Sequence, residues 1–222
     1  MAKPKAFFVV SAYNNDVSWI GNYTKNYLIY DKSHTMNVAN SKIIQPDNVG
    51  YNCWDICDFI ARNYDCLPDL IAFLEGNPFD HCKKETFDKL IYNECFTSIE
   101  DYSHVPESYA HKKSEDGGYM EINNSWYVLS HTSTYGKEVQ RFFTNYNDFL
   151  DEMFENPEHP IYIRFSPGAQ YIVPKENILY YSKNFYEKLR SYVDYHRLPS
   201  EAFMIERMFY YIFNNEWEEK NE

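Results

Sequence analysis

Tyr51-Asn52-Cys53-Trp54-Asp55-Ile56-Cys57-Asp58-Phe59-Ile60-Ala61-Arg62-Asn63-Tyr64 is the stretch that decides the fold. Cys53, Cys57, Ile60 and Tyr64 recur at i, i+4, i+7 and i+11, which draws one apolar stripe along a helix. Upstream, Lys42–Gln45 reads as a strand ended by Pro46-Asp47-Asn48-Val49-Gly50. Downstream, Leu67-Pro68-Asp69 stops the helix and Leu70–Leu74 forms a continuous apolar strand. Strand, helix and strand at this spacing predict a parallel crossover unit and an α/β protein.

Working outward, Lys5–Ser11 reads as a buried first strand, followed by a polar loop to Asp16 and a short helix over Val17–Ile20. Tyr27–Tyr30 is a second strand, closed by Asp31-Lys32-Ser33. Thr86–Phe96 looks helical, whereas Ser98–Tyr135 is polar and irregular with a hinge at Gly117-Gly118. A helix over Asn147–Phe154 precedes two strands, Ile161–Phe165 and Ala169–Val173, on either side of Ser166-Pro167-Gly168. Two helices follow, Asn184–Tyr195 and Glu201–Phe213, the second with Ser200 as its N-cap. With no repeat or linker, residues 1–215 form one domain, and the acidic tail 216–222 is expected to fray.

Composition narrows the partners. Aromatic residues make up 19% of the 222-residue chain, ample for a core and for aromatic-lined clefts. The net charge of −12 counts against sequence-independent binding to nucleic acid or anionic lipid. No run approaches the length of a membrane span, and the short apolar stretch Ala6–Val10 lacks a cleavage site. Five cysteines without Cys-x-x-Cys spacing read as reduced, buried thiols of a cytoplasmic protein. Cys53 and Cys57 belong to the helix stripe, so neither structural zinc nor a Cys–His nucleophile is supported.

Polar residues gather where three strands run out, which is where open parallel sheets place their ligands. The first group is Ser11–Asp16 and the second is Asp47–Gly50 at the start of the stripe helix. Free N–H groups at a helix start suit a diphosphate, although such turns are more often only structural. The third is Glu75-Gly76-Asn77-Pro78-Phe79-Asp80-His81, whose oxygen donors suit a hard cation or, more blandly, a capped turn. Late in the chain Glu206 shares a helix face with Ala202, Phe209, Tyr210 and Phe213, and Glu201 stands in the first turn. A carboxylate among apolar neighbours gains proton affinity and suits general-base work unless a cation such as Arg207 pairs with it.

These motifs, in this order, resemble a family of largely uncharacterised bacterial, fungal and viral proteins. The matching runs are Phe8–Trp19, Asn48-Val49-Gly50, Asn63-Tyr64-Asp65-Cys66-Leu67-Pro68-Asp69, Phe73–His81, Gly168–Val173 and Glu206-Arg207-Met208-Phe209. That family looks like a divergent nucleotide-sugar glycosyltransferase of the GT-A type. The resemblance implies a GT-A-like (Rossmann-like), mostly parallel sheet flanked by helices. It implies that Ser11, Tyr13, Asn14 and Asp16 face a nucleoside, with Asn48 and Gly50 on the nucleotide side of the cleft. Glu75 and Asn77 fall where an Asp-x-Asp pair would hold Mn²⁺ or Mg²⁺, with Asp80 or His81 as a substitute ligand. Gly168, Ala169 and Gln170 would border sugar or acceptor, and Glu206 or Glu201 would be the base. The chain departs from the pattern at Glu75, where the family carries Gln, and at Asn52, where it carries an acid.

The expected function is sugar transfer from a nucleoside-diphosphate donor, UDP-sugar first, to an acceptor hydroxyl. Arg164 and Lys175 are the candidate cations for the leaving diphosphate, and Trp19, Trp54 and Trp126 are candidates to stack on base or sugar. A nucleotide- or glycan-binding protein without transfer chemistry is the alternative. A third is transfer to a hydroxymethylated base in phage DNA, against which the net charge speaks.

Overall fold

The structure, a computed structural model, describes residues 4–37, 42–104, 112–124 and 140–220. Its centre is strand β1 (Phe7–Ala12), flanked by β2 (Tyr27–Asp31) and β4 (Leu70–Glu75), with β3 (Ile43–Ile44) beyond β2. All four run parallel, as the crossover reading requires. Then the direction changes: β9 (Tyr171–Pro174) pairs antiparallel with β4, and β5 (Thr97–Ser98) antiparallel with β9. The sheet order is β3-β2-β1-β4-β9-β5, and the sheet is mixed rather than mostly parallel. The cause is local. The Ser166–Gln170 turn lies at the carboxyl end of β4, so a strand leaving it can only run back along β4.

Side chains alternate across the sheet as a strand repeat demands. Val9, Ile71, Phe73, Tyr171 and Val173 face one core, closed by α1 (Tyr51–Asn63), α5 (Lys183–Ser191) and α6 (Ser200–Phe213). Phe8, Val10, Ala72, Leu74 and Ile172 face the other, closed by α2 (Lys84–Leu90) and the single turn Ser18–Asn22. Aromatic stacking carries much of the first face: Phe73 lies on Phe213 at 5.6 Å and Phe7 on Phe59 at 5.9 Å. Two short helices, α3 (Tyr146–Met153) and α4 (Lys175–Ile178), complete this side.

Several expectations change. Part of the stretch read as irregular forms β6 (Lys112–Lys113) and β7 (Tyr119–Ile122), which make a small antiparallel sheet with β8 (Tyr162–Arg164), the strand expected over Ile161–Phe165. Gly117 and Gly118 form its hairpin turn, closed by the Ser114 N–H on the Gly118 carbonyl at 2.9 Å, not a hinge. Residues 125–139, Trp126 among them, lie outside the described residues. The helix expected over Thr86–Phe96 ends at Leu90, and Ser200 is the first residue of α6, with Pro199 as the cap. The acidic tail does not fray as far as Lys220. Trp217 stacks on Tyr211 at 4.6 Å, Glu219 accepts from the Ser182 N–H at 2.8 Å, and the Lys220 N–H reaches the Met153 carbonyl at 3.1 Å. All five cysteines are free, but Cys66 and Cys95 are exposed rather than buried. Among the described residues no helix is long and apolar enough to cross a membrane.

Candidate functional site

β1, β2 and β4 end level with one another, Ala12 beside Asp31 and Ser11 beside Glu75, so their following loops meet at one edge. The loop after β1 turns through Asn14 at φ +57°, and its Tyr13 N–H donates to Asn15 Oδ1 at 2.8 Å. Asn15 packs so close to Gly76 that a Cβ there would stand 2.5 Å from its amide oxygen. The Gly76 N–H in turn donates to the Ser11 carbonyl at 2.7 Å. Asp16 caps this loop: it accepts from the Ser18 N–H at 2.9 Å, which holds its carboxyl below the usual range.

The Ser166–Gln170 turn brings two carboxylates together. Gly168 has φ +75°, and its N–H donates to Glu206 Oε1 at 2.7 Å. Its carbonyl accepts from Asn52 Nδ2 at 2.7 Å. A Cβ on Gly168 would lie 2.7 Å from the Glu75 carboxyl carbon and 2.8 Å from the His81 ring, so only glycine lets these groups approach. Ala169 shares the left-handed backbone at φ +50°, and Gln170 is buried with its amide on the Pro78 carbonyl at 3.2 Å.

The two acids have different surroundings. Glu206 Oε2 is paired with Arg207 at 2.9 Å, and Arg207 is itself buried and bonded to Glu121. Among the described residues Glu75 has no Lys or Arg partner. Burial, reinforced by the charges of Glu206 and Asp80, pushes its carboxyl well above the usual range, with His81 Nε2 3.5 Å away. Glu75 is therefore the acid of the pair whose proton affinity its surroundings raise.

The metal expectation does not fit this geometry. Asn77 Nδ2 is committed to Asp80 Oδ1 at 2.6 Å, and the Asp80 carbonyl meets His104 Nε2 at 3.0 Å. Among the described residues no group of three or more His, Cys, Asp or Glu side chains is arranged to hold a metal ion. Glu75, Asn77, Asp80 and His81 surround one turn without converging as a ligand set, so no chemical step is routed through a cation.

At the start of α1, Gly50 (φ +63°) and Tyr51 (φ +53°) follow the half-buried Asn48. Their N–H groups are not open to an anion: Gly50 donates to the His196 carbonyl at 2.9 Å and Tyr51 to the Arg197 carbonyl at 3.2 Å. Lys32, buried at the end of β2, braces the turn from below through the carbonyls of Val49 and Tyr51, with Asp55 Oδ1 3.1 Å away. Burial pushes the Asp55 carboxyl up to about 6 against the pull of Lys32.

Other candidates stand apart. Glu201 is consumed structurally, accepting from the Arg141 and Phe142 N–H groups at 2.8 and 2.7 Å and from the Tyr195 hydroxyl at 2.6 Å. A carboxylate so satisfied is an anchor for the 141–142 segment; Glu206 is paired with Arg207, a pairing that counts against a base, and of the two acids it is the one that stands at this edge. Arg164 is engaged by Glu100 and Asp116, each at 2.5 Å. Lys175 pairs with Asp69 at the opposite, amino end of β4. Trp19 packs among Tyr23, Phe79 and Phe87, and the Trp54 indole donates to Asp194. The edge also holds residues that the sequence did not single out, namely Lys32, Asn52, Asp55 and Arg197. Lys32 carried a faint signal, a cation directly after a strand at the ligand edge.

The fold and this edge define an α/β protein with a mixed sheet and a carboxylate pair where its parallel strands end. The chain belongs to the family described as a protein of unknown function (DUF3431), which matches residues 8–221. No curated protein and no solved structure matches it.

Proposed function

We propose that the protein is a glycosyltransferase moving a sugar from a nucleoside diphosphate, UDP-sugar first, to an acceptor hydroxyl, within a GT-A-like variant of the α/β fold. The observation that carries the reading is the meeting of Glu206 and Glu75 about Gly168 beside the loops that end β1 and β4. The parts that the resemblance implies surround this edge: the loop of Tyr13, Asn14 and Asp16, the Asn48–Gly50 turn, the Glu75–Asn77 turn, the Gly168–Gln170 turn and the acid of α6. A buried carboxyl of raised proton affinity beside a second carboxylate paired with arginine suits proton-transfer chemistry.

In this reading Glu206, paired with Arg207 and aimed by the Gly168 N–H, takes the acceptor proton. The acceptor oxygen then bonds to the anomeric carbon as the carbon–oxygen bond to the diphosphate breaks, its electron pair leaving with the diphosphate. Glu75, whose proton affinity burial raises, lines the same space. The free thiols support a cytoplasmic setting.

The test is release of UDP from a panel of UDP-sugars, with and without Mn²⁺, in wild type and in Glu206→Gln. Turnover that the variant loses while still binding UDP supports the assignment. Binding with no turnover of any donor favours the binding-protein reading, which the commitment of Asn77 to Asp80 also favours. No nucleotide binding refutes both. Hydroxymethylated DNA as acceptor, read as an intact-mass shift, tests the phage-DNA alternative.

A further inference from the structure

A diphosphate arriving at this edge meets an acidic neighbourhood, Asp16, Asp80 and Glu206, on a chain of net charge −12. It needs a cation, and the expected ones are taken: Arg164 by Glu100 and Asp116, Lys175 by Asp69 on the far side. Lys32 is sealed beneath the Gly50 turn, and the N–H groups of Gly50 and Tyr51 are given to chain carbonyls.

One cation is differently placed. Arg197 lies in the exposed segment between α5 and α6, with its guanidinium 5.5 Å from the centre of the Tyr13 ring. Tyr13 is 48% exposed, so the stacked pair fronts on solvent at the mouth of the edge. Among the described residues, Arg197 has no carboxylate partner. Its backbone is fixed, because the carbonyls of His196 and Arg197 hold the first N–H groups of α1. The site thus has a rigid mount, a guanidinium steadied by an aromatic face, and open donors in a planar fork suited to phosphate oxygens.

Resting on the glycosyl-transfer reading, we propose that Arg197, steadied by Tyr13, is the group that binds the diphosphate of the nucleotide. The guanidinium forks onto the phosphate oxygens while the nucleoside lies along the Tyr13 loop. Arg197 then sets donor affinity and offsets the charge that develops on the leaving group.

The experiment is calorimetric titration of the full chain with UDP, uridine and inorganic pyrophosphate, in wild type, Arg197→Ala and Arg197→Lys. Because the guanidinium is exposed and makes no ion pair among the described residues, melting of the variants should match wild type, which separates a binding effect from misfolding. The expected result is roughly tenfold or greater weakening of UDP and pyrophosphate in Arg197→Ala, little change for uridine, and partial retention in Arg197→Lys. UDP binding of equal strength in wild type and Arg197→Ala overturns the proposal while leaving the nucleotide reading standing. Pyrophosphate binding that needs Arg197, with UDP no tighter, keeps the arginine site and removes the nucleoside. Failure of wild type to bind either phosphate overturns both.

Discussion

Replacing Glu75 by glutamine should stabilise the protein increasingly as pH rises. Burial, then the Glu206 charge, raises the Glu75 carboxyl well above the usual range. The unfolded chain titrates this group near an ordinary glutamate value of about 4.3. Between the unfolded and folded values the folded state holds one more proton, so wild-type stability falls as pH increases. The slope is about 1.4 kcal/mol per pH unit and ends once the folded group ionises. The substituted amide keeps the neutral shape and has no proton to lose. For a chain of this size, 1 kcal/mol moves the melting temperature by about 2–4 °C. The Tm advantage of Glu75→Gln should therefore grow by roughly 3–6 °C per pH unit above the unfolded value. Scanning calorimetry of both proteins from pH 5 to 8 measures it, and other titrations cancel in the difference. His81 lies 3.5 Å away, so the pair is repeated in a His81→Asn background. Melting curves that stay parallel across the range would refute the raised proton affinity of Glu75.

Gly168→Ala would force a Cβ against Glu75 and His81 on a backbone at φ +75°; a loss of at least about 1–2 kcal/mol in urea unfolding is expected, together with loss of any turnover. Lys32→Met should cost about 3–5 kcal/mol by leaving Asp55 buried without its cation, read as a lower urea midpoint with unchanged slope. Trp217→Ala removes ring contacts to Tyr211 and Phe154 and should cost about 1–3 kcal/mol; an unchanged Tm would mean that the tail contributes nothing to the fold.

The parallel core was legible because its signals are local. The stripe at Cys53, Cys57 and Ile60 and the apolar runs of β1 and β4 identify their elements without reference to partners. The reversal at β9 was not, since a short apolar strand looks the same in either direction and only the position of the Ser166–Gln170 turn decides. The small sheet escaped for a related reason: β6 and β7 contain two and four residues, too few for an alternation to declare itself. At the site, Glu206 was legible as an acid on an apolar helix face. The occupation of Glu201 by the 141–142 backbone was not, because that contact joins residues about 60 positions apart. Arg197 gave no signal, since its place beside Tyr13 depends on how α5 and α6 are joined over the end of β1.

The edge also concentrates costs that a merely stable chain would avoid. Asn14, Gly50, Tyr51, Gly168 and Ala169 all adopt left-handed backbone in the loops around it. For Tyr51 and Ala169 that conformation costs about 1–2 kcal/mol each, because their Cβ atoms crowd the following carbonyl. The strain persists because other groups fix it: Lys32 grips the carbonyl of Tyr51, Asn52 the carbonyl of Gly168, and Glu206 the N–H of Gly168. Those groups in turn depend on buried charge, Lys32 on Asp55 and Glu206 on Arg207, each needing its partner to remain desolvated. A buried acid of raised proton affinity, strained turns and buried ion pairs are each destabilising on their own. Their convergence at one sheet edge, while the strands behind it are packed with ordinary aliphatic and aromatic side chains, is what selection for a ligand-facing geometry produces.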